Sequence, residues 1–167
     1  MSGQTVRILG IDPGLRKTGW GVIAVEGNRI SAVAHGVVAP PVKADLSDRL
    51  LHLFNEVGAV VKAHSPDEAA IEEAFMASNA SSALKLGHAR AAALLAPAQL
   101  GLPVAEYAAR LVKKSVVGTG GAAKDQVAAM VSVLLPGTAA KDDEADALAI
   151  AICHAHHRRA AQIGRVA

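Results

Sequence analysis

The chain has 167 residues, of which 51% are hydrophobic, and a formal net charge of +2. That length supports one domain with a real core and excludes a peptide that needs staples, while the mild basic balance permits nucleic-acid binding without demanding it. The one cysteine, Cys153, excludes an intramolecular disulfide and fits a reducing compartment, and the longest apolar run, around Ala91 to Ala98, is far too short to span a membrane. The start "MSGQTVRILG" has neither the basic region nor the apolar stretch of a signal peptide, so a cytoplasmic protein without a membrane partner is expected.

In chain order, Val6 to Asp12, Gly19 to Val25 and Arg29 to Val38 read as three consecutive strands, with "EGN" as a hairpin connection between the last two. Leu46 to Ala63 carries helical spacing through Leu50, Leu53, Phe54, Val57 and Val61, with Asp45 as its cap. "DEAAIEEAF" predicts a short buried strand, Ser81 to Leu100 a long Ala-rich and Leu-rich helix that Pro97 kinks or ends, and "LPVAEY" a last strand. Two helices, near Lys124 to Leu135 and Asp142 to His157, close the chain, followed by a basic tail over 158–167 that is expected to be loose and solvated. Strands followed by alternating helices and strands predict an α/β protein, a mixed sheet covered by helices in a single domain.

The acidic residues raise the chemical question. Asp12 ends the first strand, Glu72 ends the fourth, and Asp143 and Asp146 open the last helix in "KDDEADALAIAICH". Each has a local explanation: an Asx turn before Pro13-Gly14, a strand leaving the core, acids complementing a helix dipole. Together they point elsewhere. Asp143 and Asp146 are spaced i, i+3 and project from one face of the first helical turn. If that face meets the ends of the first and fourth strands, four carboxylates converge, and they repel one another unless a cation lies among them. Oxygen-only donors select hard ions, Mg²⁺ or Mn²⁺. Two such ions about 4 Å apart are the clamp used in phosphodiester hydrolysis. His154 would sit about 16 Å along the helix axis from Asp143, too far to share that site. No zinc spacing or serine-hydrolase element is present, and Cys153 reads as a buried helix residue.

The stretches "LGIDPGLRKTGWGV", "IEEAFMASNASSALKLGHARA", "EYAARLVKKSVVGTGGAAKDQV" and "DDEADALAIAICHAH" resemble, in the same order, the RuvC family of bacterial Holliday junction resolvases. The likeness covers about residues 7 to 157. It implies a ribonuclease H-like fold and a homodimer that cuts opposed strands of a four-way DNA junction with Mg²⁺ or Mn²⁺, leaving ligatable nicks for recombination and repair. A branch-migration motor complex is a further partner the family suggests. Asp12, Glu72, Asp143 and Asp146 match the family's four catalytic acids.

By the same likeness Phe75 is expected to stack on an unpaired base, Asn79 to contact DNA, and Lys113 and Lys124 to meet phosphates near the cleaved strand. Lys114 reads as solvated. The glycines of "GTGGAAKDQV" would let backbone N–H groups approach a phosphate at the next helix. Three departures from the family pattern stand out: His88 where Gln is common, Ala91 where Gly is common, and Ser78 at a position often held by Lys. Glu73, Asp142 and Glu144 are extra acids beside the expected ligands. Two other readings are a non-catalytic junction-binding module, against which the complete acidic quartet argues, and an ATPase. "DPGLRKTG" also fits the phosphate hairpin of actin-like and sugar-kinase ATPases, but those proteins carry a second lobe with its own D-x-G element, and none is visible here.

Overall fold

A computed structural model describes residues 4–73 and 79–164, the side chains of 159–164 excepted. Phe75 and Ser78 therefore lie outside the described residues. The chain forms β1 (Val6–Asp12), β2 (Thr18–Glu26), β3 (Arg29–Val38), α1 (Leu46–His64), β4 (Glu68–Glu72), α2 (Ala80–Gln99), β5 (Val104–Tyr107), α3 (Ala109–Val117), α4 (Lys124–Leu134) and α5 (Asp143–Gly164). The five strands make one sheet in the order β3-β2-β1-β4-β5. β1, β2 and β3 pair antiparallel, while β4 runs parallel to β1 and β5 parallel to β4. The β2–β3 hairpin closes through Gly27, whose φ of +55° suits a residue without a Cβ. No helix among the described residues is long and apolar enough to cross a membrane.

The strand period of two divides the core. On one face Val6 and Ile8 of β1, Ile23 and Val25 of β2 and Ala70 of β4 pack beneath α3, α4 and α5. On the other, Leu9, Ile11, Val22, Ala69 and Ile71 pack beneath α1 and α2. Asp12 and Glu72 share the parity of Ile8 and Ala70, so both point toward the α5 layer. Two glycines let α5 lie directly on the sheet. A Cβ on Gly10 would stand 2.0 Å from the Ala147 carbonyl oxygen, and one on Gly19 would stand 2.0 Å from that of Asp143. The alanines of α5 complete this close approach: Ala145, Ala147, Ala149, Ala151 and Ala155 are all buried.

Four local expectations need correction. α3 was not expected between the last strand and Lys124. It is short, and its signal is the buried pair Val112 and Val116 one turn apart, closed by Gly118 at a φ of 97°. Asp45 sits at the N-cap of α1 but its side chain makes no capping hydrogen bond. Pro97 is accommodated within α2, which ends two residues later. The last helix does not stop at His157 but runs on to Gly164, and its Arg158 is tied to β4 by a 2.7 Å bond from Nε to the Glu68 carboxylate.

Candidate active site

Asp12 is held by the loop that follows it. The Gly14 N–H donates to Thr18 Oγ1 at 3.1 Å, and the Thr18 hydroxyl donates back to the Gly14 carbonyl at 2.8 Å. Thr18 is fully buried, and Arg49 of α1 donates to the Leu15 carbonyl at 3.0 Å. This closed turn fixes the end of β1. It also engages the Gly14 N–H, one of the donors that a phosphate hairpin would offer a nucleotide.

Against that turn stands the start of α5. Asp12, Asp143 and Asp146 bring carboxylate oxygens within 4.8 Å of one another. Glu72 stands next to them, near enough to Asp12 that each carboxyl shifts the titration of the other. The i, i+3 pair of the sequence thus faces the two strand ends, and four acids meet. Burial pushes the Asp12 carboxyl up to about 8, with the charges of Glu72 and Asp146 adding to the effect. Burial also raises Glu72, although its interaction with Asp12 works the other way.

Positive charge approaches from α3 and α4. Lys124 Nζ lies 3.0 Å from Asp146 Oδ2, an ion pair that raises the lysine. A cavity of about 240 Å³ opens between the acids and the basic helices, lined by Glu72, Asp146, Lys113 and Lys124 among others. Lys113 comes from α3 and Lys124 from the first turn of α4. Both lysines are therefore beside the acids.

The extra acids stay apart. Glu144 turns away to His35, with Oε1 3.3 Å from Nδ1, and Glu73 and Asp142 are exposed. Asn79 caps α2, its Oδ1 accepting the Ser82 N–H at 2.8 Å. The glycine-rich stretch is occupied with itself: the Gly121 N–H donates to Thr119 Oγ1 at 3.3 Å and the Ala123 N–H to Gln126 Oε1 at 2.8 Å. A phosphate cradle built from those two amides is not what this loop presents.

Two features had no sequence signal strong enough to single them out. Arg90 of α2 donates from Nε to the Glu72 carbonyl at 2.9 Å and pairs through Nη2 with the Glu106 carboxylate. His154 joins Glu68 through Nε2 at 2.7 Å and the Tyr107 hydroxyl through Nδ1 at 2.8 Å. Its place at the far end of β4 agrees with its exclusion from the acidic cluster. Cys153 is buried in α5, with Sγ 3.4 Å from Ser115 Oγ.

The donor set itself decides which group fits. Only carboxylate oxygens converge, they are partly buried, and burial together with the neighbouring negative charges raises Asp12 far above its ordinary range. A hard divalent cation satisfies all three conditions, and a soft-metal site would need sulfur or imidazole.

Comparison with known proteins agrees with this geometry. The profile of the family described as crossover junction endodeoxyribonuclease RuvC matches residues 8–154. The Maricaulis maris protein named crossover junction endodeoxyribonuclease RuvC is 77% identical over 163 residues, 98% of each chain. Its Caulobacter vibrioides counterpart of the same name is 64% identical, covering 91% of this chain and 90% of its own. Among solved structures, Thermus thermophilus RuvC in complex with a Holliday junction substrate superposes with a TM-score of 0.87 at 34% identity, covering 93% of this chain and 96% of that one. The fold is the ribonuclease H-like fold of that structure, and the chain belongs to the RuvC family of crossover junction endodeoxyribonucleases.

Proposed function

We propose that this protein is a structure-selective endodeoxyribonuclease that resolves four-way DNA junctions by paired cuts in opposed strands, leaving ligatable nicks in recombination and repair. The observation that carries the reading is the meeting of Asp12, Asp143 and Asp146 within 4.8 Å, with Glu72 electrostatically coupled to Asp12. Family membership supplies the substrate: the Thermus relative is bound to a Holliday junction, and the Maricaulis relative bears the endonuclease name.

Asp12, Glu72, Asp143 and Asp146 are read as the catalytic and metal-holding residues, and Mg²⁺ or Mn²⁺, two ions per site, as the cofactor. When bound, such cations activate water and stabilise charge on the departing oxygen in phosphodiester hydrolysis. The protein's own part is positional. The Thr18-closed turn holds Asp12, and the glycine contacts of β1 and β2 hold the first turn of α5 over it. Lys113 and Lys124 line the cavity from which a phosphate would enter, and there they offset the charge of the cleaved strand. Cutting two opposed strands needs two such sites, so we read the active form as a homodimer. A branch-migration motor as a further partner, DNA contacts by Phe75 and Asn79, and a cytoplasmic location belong to the same reading. The whole chain acts in it as one nuclease domain.

The test is a synthetic four-way junction incubated with the protein and Mg²⁺, Mn²⁺ or EDTA, beside a linear duplex of the same sequence. The expected result is symmetric nicking of the junction alone, dependent on the cation, with ends that ligase seals. Cutting in EDTA, or equal cutting of linear duplex, contradicts the reading.

A further inference from the structure

Glu72 lies one residue beyond the last β1–β4 pair, Ile11 with Ile71, and so has no β1 partner, although it still pairs with Tyr107 of β5, whose carbonyl accepts the Glu73 N–H at 2.8 Å. Asp12 has its closed turn and the two α5 aspartates have a helix beneath them. Glu72 is held in addition by a side chain from another layer. Arg90, with 18% of its side chain exposed, reaches from α2 to the end of β4 and donates Nε–H to the Glu72 carbonyl at 2.9 Å. Its Nη2 pairs with Glu106, which sits on β5 opposite Ile71. The planar guanidinium thus ties the main chain of Glu72 to the neighbouring strand and to α2 through two donors of fixed relative geometry.

We propose that Arg90 is a positioning residue for Glu72, with Glu106 orienting Arg90, so that the acid's carboxylate is presented to the cation site. The proposal rests on the reading of Glu72 as a metal-holding acid. Glu106 is 47% exposed, so this ion pair contributes little to global stability. Its loss is felt where tolerance is smallest, because a site that binds metal needs its donors held within about 0.5 Å. Partners that orient metal ligands are worth roughly 10- to 100-fold in metal affinity or activity. The effect on the site therefore exceeds the effect on the fold, and this separates positioning from a merely structural role.

The experiment compares Arg90→Gln, Arg90→Lys, Glu106→Gln, the Arg90→Gln/Glu106→Gln double variant and Glu72→Gln. The readouts are junction cleavage, junction binding, Mn²⁺ affinity by calorimetry, and thermal unfolding. Arg90→Gln is expected to lower kcat about 10-fold and weaken Mn²⁺ binding several-fold. KM and the junction Kd should stay within about twofold and Tm within a few degrees. Arg90→Lys, which keeps one cationic donor, should recover part of the rate. Glu106→Gln should give a smaller loss, and the double variant should be no worse than Arg90→Gln alone, because Glu106 acts through Arg90. An unchanged kcat in Arg90→Gln overturns the proposal, as does a kcat loss matched by equal losses in junction binding and Tm. If Arg90→Gln does not fold, an unchanged kcat in Glu106→Gln overturns it equally. Glu72→Gln separates the two levels: full activity there defeats the reading of Glu72 itself, whereas an inactive Glu72→Gln beside a fully active Arg90→Gln defeats only the role of Arg90.

Discussion

β4 carries one glutamate at each end of the face covered by α5, and the two are treated in opposite ways. Glu68 is compensated. Burial alone would raise it, but hydrogen bonds from Arg158 and His154 outweigh that effect and hold its carboxyl below its ordinary range. Glu72 is not compensated to the same degree: burial and the charge of Asp146 raise it, and the opposing effects of Asp12, Lys113 and Lys124 do not outweigh them. The same strand and the same helix therefore build a satisfied ion-pair network at one end and a charge-frustrated cluster at the other. Proteins retain unsatisfied buried charge where a ligand or a reaction uses it, and settled charge where only the fold does.

The comparison breaks most visibly in activity. Asp12→Asn or Asp146→Asn is expected to reduce junction cleavage by about 10³-fold or more, the scale on which a group acting at the reacting centre is lost. Glu68→Gln, at the other end of the strand, should keep the rate within about twofold. Gel-shift binding should be retained in all three, since phosphate and shape contacts supply most of the affinity. An inactive Glu68→Gln with normal stability would erase the distinction.

Gly19→Ala probes how α5 is seated on the sheet. The added Cβ meets the Asp143 backbone, which cannot give way as a flexible side chain would. It is expected to cost about 1–3 kcal/mol in urea unfolding and to slow cleavage, because it lifts the first turn of α5 from β2. Gly58→Ala in α1, where nothing lies within 4 Å of the new Cβ, is the control and should be neutral to slightly stabilising.

Stability should then move in opposite directions at the two ends. Glu68→Ala strands Arg158 and His154 and is expected to cost about 2 kcal/mol. Asp12→Asn removes a repelled charge and should stabilise the metal-free protein by about 1 kcal/mol above pH 8. The pH windows differ accordingly. Asp12 is raised from 3.8 to about 8, so the folded state holds its proton more tightly than the unfolded chain does. That contribution is complete below about pH 4 and is lost as pH rises through 8. Glu68 is lowered from 4.5, so its contribution is present above that value and is lost as pH falls through the folded-state titration. Unfolding of metal-free protein across pH should show the alkaline limb flattened in Asp12→Asn and the acid limb flattened in Glu68→Gln.

The acids were legible because each sits at an end of a regular element: Asp12 and Glu72 close strands, and Asp143 and Asp146 open a helix at i, i+3 spacing. The mixed sheet covered by helices followed from hairpin signals and the alternation of strands and helices, whereas the strand order came only with the structure. What escaped depends on partners far apart in the chain. His154 reads as a helix residue without a partner and Arg158 as the start of a basic tail until α5 is laid beside β4, which brings them to Glu68 across separations of 86 and 90 residues. Arg90 reads as one cation in an Ala-rich helix, and only the packing of α2 on the sheet carries it to Glu72. Thr18 was hidden for a different reason, since a buried hydroxyl that closes a turn four residues back leaves no periodic mark. The glycines near Gly121 suggested a phosphate loop because composition records backbone freedom and not which acceptor each N–H has found.

The most direct test of the uncompensated end is calorimetric titration of Mn²⁺ into the wild-type protein, Asp12→Asn and Glu68→Gln at one pH. The account expects saturable binding to the wild type, the same affinity within about twofold for Glu68→Gln, and binding weakened by about 100-fold or more for Asp12→Asn. Equal affinity in Asp12→Asn and the wild type would contradict it.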